Sequence, residues 1–192
     1  DAQQDLLKAL VKTGKPVVLL LFTGRPLILN WESEHIPSIL NVWFGGSETG
    51  DAVADVLFGK AVPCGKLTTT FPRSVGQLPL FYNHLNTGRP DPDNRVFNRY
   101  ASNYLDEGNE PLYPFGYGLS YTNFSYGNLQ LSSDVLSRNG ELTVSVTVTN
   151  DGDFDGYEIV QMYLHDIYAE ISRPVKELKG FERIFLKKGE SR

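Results

Sequence analysis

Pro16-Val-Val-Leu-Leu-Leu-Phe22 runs apolar without alternation and is broken by Thr23-Gly-Arg-Pro26. A strand with one wet face alternates, so a short run that is apolar throughout reads as a strand buried on both faces, as in a parallel sheet. Ser38-Ile-Leu-Asn-Val-Trp-Phe44 has the same character and predicts a second buried strand. Helical signals surround these two runs. Residues 2–12 repeat apolar groups at Leu6, Leu7, Leu10 and Val11, one buried stripe of a helix, with Gly14 as its stop. Leu27 to Glu34 predicts a short helix. Gly45-Gly-Ser-Glu-Thr-Gly50 is a glycine-rich turn that opens a helix over Asp51 to Phe58, with Ser47 or Thr49 as N-cap and Gly59 as stop. Helix, strand, helix, strand, helix at this spacing implies a layered α/β unit. Two strands are too few for a complete parallel sheet, so the unit is expected to be incomplete.

Residues 59–120 are rich in Gly, Pro, Asn and aromatic side chains and carry little periodicity. They read as a long ordered connector packed over a neighbouring surface, with one strand at Lys66 to Phe71. From Ser125 the pattern turns all-β. Glu141-Leu-Thr-Val-Ser-Val-Thr-Val-Thr149 alternates with apolar residues at even positions, and Asn150-Asp-Gly152 makes a turn. Asn128 to Leu131, Tyr157 to Leu164 and Lys176 to Leu186 supply further strands. These features predict a β-sandwich of the immunoglobulin or fibronectin kind. About seven strands complete such a domain; about five fit here by the same spacing, and a turn at Lys187 to Arg192 points toward another. The sandwich too is expected to be incomplete.

Composition sets limits on function. The chain has 192 residues, 41% hydrophobic and 21% charged, which is ample for a packed core. Its net charge is −5 and no Lys/Arg cluster exists, which argues against nucleic acid as a partner. No apolar run approaches the roughly 18 residues of a membrane span. Cys64 is the only cysteine, so an internal disulfide and a multi-cysteine metal site are excluded. His35, His84 and His165 lack ligand spacing, so no zinc site is expected. The turn at Gly45–Gly50 lacks the Lys-Ser/Thr of a phosphate-binding loop and does not fit a dinucleotide fingerprint. No Gly-x-Ser-x-Gly elbow exists. Asp106, Glu107 and Glu110 cluster, but carboxylates adjacent on one loop do not face each other across a sugar ring, and they read as solvated loop acids.

Several long motifs then occur in a fixed order: Trp43-Phe-Gly-Gly-Ser-Glu-Thr-Gly50, Ala54-Asp-Val-Leu-Phe-Gly59, Phe71-Pro-Arg-Ser-Val-Gly-Gln-Leu-Pro79, Tyr82-Asn-His-Leu-Asn-Thr-Gly-Arg-Pro90 and Leu112-Tyr-Pro-Phe-Gly-Tyr-Gly-Leu-Ser-Tyr121. Together they resemble the C-terminal half of glycoside hydrolase family 3, in its bacterial periplasmic β-glucosidase branch. Arg173-Pro-Val-Lys-Glu-Leu-Lys-Gly-Phe181 is similar to that family's fibronectin-III-like domain. The resemblance implies an incomplete α/β layered sandwich followed by an all-β, immunoglobulin-like (fibronectin-III-like) sandwich. Residues 1–85 would be the C-terminal half of the α/β domain, 86–124 an ordered connector, and 125–192 a truncated fibronectin-III-like domain.

The implied activity is that of a retaining β-glucosidase acting on terminal non-reducing β-D-glucosyl residues of oligosaccharides, without metal or organic cofactor. A β-xylosidase of the same family, or a non-catalytic carbohydrate-binding or interaction module, are the alternatives. The family's nucleophilic aspartate and acid/base glutamate match no position here, so no catalytic residue is assigned and the chain alone is expected to be inactive. Loops of the α/β domain line the sugar pocket in the family, which makes Trp43, Glu48 and Arg89 the candidate substrate-binding residues. Glu48 has a second reading, as a carboxylate stabilised by a helix N-terminus. The expected partners are a β-linked oligosaccharide or glucoside, an N-terminal barrel domain and a second copy in a homodimer, with no nucleic acid and no membrane. The expected location is periplasmic or secreted.

Overall fold

The structure, a computed structural model, describes residues 1–90 and 98–192. The part of the expected connector at 91–97 therefore lies outside the described residues. The chain divides into two compact units: one of Asp1–Ala54, Leu67–Tyr117 and Leu164–Glu177, the other of Asp55–Lys66, Gly118–Tyr163 and Leu178–Arg192.

In the first unit, α1 (Ala2–Val11) is capped by Asp1, whose carboxylate accepts the Gln3 N–H at 3.0 Å. Gly14 turns the chain in the left-handed region at φ 71°. The expected stripe is displaced. Leu6 and Leu10 are exposed, while Gln4, Leu7, Lys8 and Val11 form the half-buried face. Those four fall at i, i+3, i+4 and i+7, and the two polar members find partners on α2 (Asn30–His35). Gln4 Nε2 donates to Glu32 Oε1 at 3.3 Å, and the Lys8 ammonium lies 5.4 Å from the Trp31 ring centroid.

Strand β1 (Val18–Leu21) pairs with β2 (Ser38–Asn41) in parallel, Val18 opposite Ser38 and Leu21 opposite Asn41. The parallel pairing is as predicted; burial on both faces is not. Every residue of the two strands is half-buried or exposed, because each has a single neighbouring strand among the described residues. Helix α3 (Thr49–Leu57) follows, and Gly59 ends it at φ 75°. Thr49 is not the expected side-chain cap. Its hydroxyl donates back to the Gly46 carbonyl at 2.6 Å.

The predicted strand at Lys66–Phe71 is irregular chain. Leu67 N–H bonds Tyr117 O at 2.7 Å and Phe71 N–H bonds Tyr113 O at 2.8 Å, with no continuous ladder between. Pro72 on one side and Pro114 and Gly116 on the other interrupt the pairing that Leu, Thr and Phe would favour. A short 3-10 turn at Val75–Gln77 is held by Gln77, whose side chain accepts from Arg73 N–H at 2.7 Å and donates to Gly108 O at 2.8 Å.

Apart from Asp55–Leu57, the last residues of α3, the second unit is strand, turn and irregular chain. Its elements are β3 (Phe124–Leu131), antiparallel to β4 (Val144–Asn150), and β5 (Gly156–Leu164), paired with β6 (Glu177–Leu186). Four strands are present among the described residues of this region, one fewer than the predicted five. Beyond Leu186 the chain turns and pairs back on β4, Val148 and Arg192 exchanging N–H···O bonds of 2.9 Å. Burial in β4 alternates only at its end: Val144 and Ser145 are both exposed, Val146 and Thr147 both half-buried, and Val148 and Asn150 are buried on either side of half-buried Thr149. Val148, Ile184 and Leu186 form the core, and Phe124, Val146 and Val160 pack on it.

The predicted turn after β4 is built by Asn150, which is 0% exposed. Its Oδ1 accepts from the Thr122 hydroxyl at 2.7 Å and from Gly152 N–H at 3.2 Å. Its Nδ2 donates to Phe154 O at 2.8 Å and Leu186 O at 3.1 Å. One side chain thus ties β4, the turn and the end of β6, which is how a fully buried amide avoids a desolvation penalty of about 1–3 kcal/mol per unpaired group.

Candidate functional site

In open α/β sheets, ligand groups gather beyond the carboxyl ends of the strands. Here that edge is the chain following Leu21 and Asn41. Val42 N–H extends the pairing by one bond to Leu21 O at 2.8 Å. Trp43 then leaves the extended region with φ 57°. A bulky residue in the left-handed region is a genuine outlier costing roughly 1–3 kcal/mol, and such strain is common at functional sites.

The bend parts two consecutive rings. Trp43 is half-buried and packs on Phe71, with ring centroids 5.8 Å apart and planes at 54°. Phe44 is 85% exposed and lies over Gly24 in the loop after β1; a Cβ at Gly24 would sit 2.6 Å from Phe44 Cε2 and Cζ. An aromatic pair of the Trp43–Phe71 type is worth about 0.5–1.5 kcal/mol beyond its buried area. With the burial of the indole, that is comparable to the backbone strain, so the neighbours of Trp43 are part of what holds it.

Behind Phe71 the aromatic packing continues. Phe71 meets Tyr113 edge-on at 6.3 Å, and Tyr113 stacks on Tyr117 at 5.1 Å. Burial, and secondly the neighbouring Tyr117, push the Tyr113 phenol above its ordinary value, with a hydrogen bond to Ser33 opposing them. Asn41, at the end of β2, has both side-chain amide atoms buried without a hydrogen-bond partner among the described residues. Unpaired buried polar groups of this kind ask for a functional or solvent partner.

Glu48 is exposed, in the turn that leads into α3, and its carbonyl accepts from Ala52 N–H at 3.0 Å. Its carboxylate stands where the helix dipole favours negative charge. Arg89 is also exposed. Its carbonyl accepts from Ser102 N–H at 2.8 Å, beside the bridge between Pro90 and Ser102. Trp43 and Glu48 share the segment after β2. No hydrogen bond, ion pair or ring contact joins Arg89 to either of them among the described residues. Of the loop acids, Glu107 Oε1 accepts from the adjacent Gly108 N–H at 3.0 Å. Asn41 and the Phe71 support are the features that sequence reasoning missed. Asn41 had a signal, an amide inside an otherwise apolar run; Phe71 had none, being far from Trp43 in sequence.

Comparison with known proteins gives this geometry a context. The glycosyl hydrolase family 3 C-terminal domain matches residues 1–121, and a fibronectin type III-like domain matches residues 158–192. A periplasmic beta-glucosidase of Salmonella typhimurium is 56% identical over 190 residues, 99% of this chain and 25% of that protein. A beta-xylosidase of Formosa agariphila is 50% identical over 190 residues, again 99% of this chain and 25% of that protein. A solved beta-glucosidase from Listeria innocua, in complex with gluconolactone, superposes with a TM-score of 0.94 at 48% identity, covering all of this chain and 26% of that one. A mutant of the Listeria enzyme in complex with laminaribiose superposes with a TM-score of 0.92. The chain spans about a quarter of the length of the curated relatives it matches.

Proposed function

Because the chain belongs to glycosyl hydrolase family 3, we propose that it forms the C-terminal part of a retaining β-glucosidase that releases terminal β-D-glucosyl residues from oligosaccharides. The observation that carries this reading is the 56% identity to a periplasmic beta-glucosidase, sustained over 190 residues. We read residues 1–85 as half of an α/β layered sandwich, 86–124 as a connector and 125–192 as a fibronectin-III-like sandwich. In retaining hydrolysis one carboxylate attacks the anomeric carbon while a carboxylic acid protonates the departing oxygen. Water then cleaves the glycosyl-enzyme bond, with the second carboxylate now acting as base. No residue of this chain is assigned to either role; an N-terminal barrel of the same protein would bring the nucleophile.

What this chain adds is the wall of the sugar pocket. Trp43 offers an indole face against which the C–H face of a pyranose stacks. Glu48 accepts hydrogen bonds from sugar hydroxyls, and the Arg89 guanidinium donates them. The laminaribiose held by the Listeria relative supports a β-linked glucan oligosaccharide as substrate class. The name of the Salmonella relative supports a periplasmic or secreted location, and a homodimer is part of the same reading. A second reading, β-xylosidase, is favoured by the 50% identity to the Formosa enzyme.

Turnover of aryl β-glucoside and aryl β-xyloside by the full polypeptide carrying these residues separates the two. Faster glucoside hydrolysis is expected. Faster xyloside hydrolysis gives the second reading, and no turnover of either sinks both. The 192 residues alone are expected to hydrolyse neither substrate. If calorimetry finds that they bind the sugar tightly without the barrel, a carbohydrate-binding module is the better description.

A further inference from the structure

Trp43 stands one residue past the last bond of the β1–β2 pairing, in a backbone conformation that its own side chain disfavours. Nothing in the strand therefore sets the plane of its indole. Phe71 is the ring that touches it, and Phe71 is fixed in a way Trp43 is not. It is 1% exposed. Its N–H donates to Tyr113 O at 2.8 Å, and its carbonyl accepts from Leu112 N–H at 2.9 Å and Tyr113 N–H at 3.3 Å. Its ring is backed by Tyr113, itself backed by Tyr117. Resting on the reading of Trp43 as a sugar-stacking residue, we infer that Phe71 is a positioning residue for substrate: its buried ring sets the tilt of the Trp43 indole, and so the affinity for the pyranose, without touching the sugar.

The chemistry fixes what the effect looks like. Stacking on a sugar face is made in the ground state and kept in the transition state, so losing it raises KM and spares kcat. A lost aromatic pair corresponds to a change of about two- to tenfold. Phe71→Leu keeps most of the volume and removes the ring; Phe71→Met is the second variant should the leucine protein fail to fold.

The test uses the full polypeptide, labelled with 5-fluorotryptophan. The 19F line missing in Trp43→Phe belongs to Trp43. Phe71→Leu is expected to shift that line, and to raise KM for an aryl β-glucoside about two- to tenfold with kcat within about twofold. Trp43→Ala is expected to raise KM at least as much, and Phe71→Leu added to it is expected to change KM no further. Loss of a merely structural residue would not give that coupling. If Trp43→Ala leaves KM unchanged, the stacking reading itself is wrong. If Trp43→Ala raises KM but Phe71→Leu leaves KM and the Trp43 line as they were, or raises KM equally in the presence and absence of Trp43, the positioning role is overturned.

Discussion

Gly24 shows how one missing side chain shapes the edge beyond β1 and β2. Its φ lies outside the left-handed region, so no backbone reason demands glycine. The reason is the Phe44 ring, which occupies the space a Cβ would take, at 2.6 Å. Two outcomes compete when alanine is put there. Either the ring is locked and the clash costs about 1–3 kcal/mol, as in an overpacked core, or the ring swings out and the smaller conformational freedom of the unfolded alanine chain stabilises by about 0.4–1 kcal/mol. Phe44 is 85% exposed and its contacting atoms are the far end of the side chain, so the second outcome wins. Gly24→Ala is expected to leave the chemical-denaturation midpoint equal or slightly raised, while the Phe44 ring resonances shift. A loss above about 2 kcal/mol would show that the ring is fixed by more than Gly24.

Among the elements, the Val75–Gln77 turn depends on Gln77 more than on its own backbone. The side chain bonds Arg73, Gly108 and Glu110, and the Gln77 carbonyl accepts from the Tyr104 hydroxyl at 3.2 Å. Gln77→Ala leaves the half-buried Arg73 N–H and Gly108 carbonyl without their side-chain partner, at about 1–2 kcal/mol each. It is expected to lower stability by about 2–4 kcal/mol and to speed amide exchange in residues 104–112, read by hydrogen-exchange mass spectrometry; unchanged exchange would refute the clasp. This is also where legibility in the sequence ends. The parallel β1–β2 pair was readable because an unbroken apolar run has few other uses, and β4 because its alternation is strict. The Asn150–Gly152 turn was readable from turn chemistry. The strand at Lys66–Phe71 was misread because β-propensity reports a suitable surface and not the presence of a ladder partner. Trp43, inside the run expected to be a strand, and Glu48, in the turn after it, are candidates through the family resemblance, in which loops of the α/β domain line the sugar pocket. The left-handed turn at Trp43 was not legible, since tryptophan is no turn former and the contact that stabilises it comes from Phe71.

On the scale of the whole chain, segments distant in sequence close one unit. Residues 55–66 group with the β-strands, and Lys66 is the tie. Its ammonium sits 3.3 Å from Glu158 Oε1 and donates to Gly118 O at 2.9 Å, while the Tyr126 hydroxyl donates to the same Glu158 oxygen at 3.0 Å. Lys66 and Glu158 are largely buried, and an ion pair of that kind is worth little by itself but costly to break from one side. Tyr126 on β3 and Glu158 on β5 link two different strand pairs. Burial, then the Glu158 charge, then the hydrogen bond to Glu158 raise the Tyr126 phenol above its ordinary 10.0. The sign follows from linkage. Below about pH 10 the phenol is neutral in both folded and unfolded chains and its contribution is fully present. Above that the unfolded chain ionises first and gains stability, so the contribution is lost as pH rises toward the folded value. Tyr126→Phe removes this dependence along with the hydrogen bond. Denaturation midpoints of the two proteins at pH 8, 10 and 11 are therefore expected to differ most at pH 8, the native chain being the more stable, and to converge as pH rises. Tyr113 is raised as well, but it is present in both proteins and cancels from the difference. A gap that stayed constant with pH would mean that the Tyr126–Glu158 contact does not persist in solution.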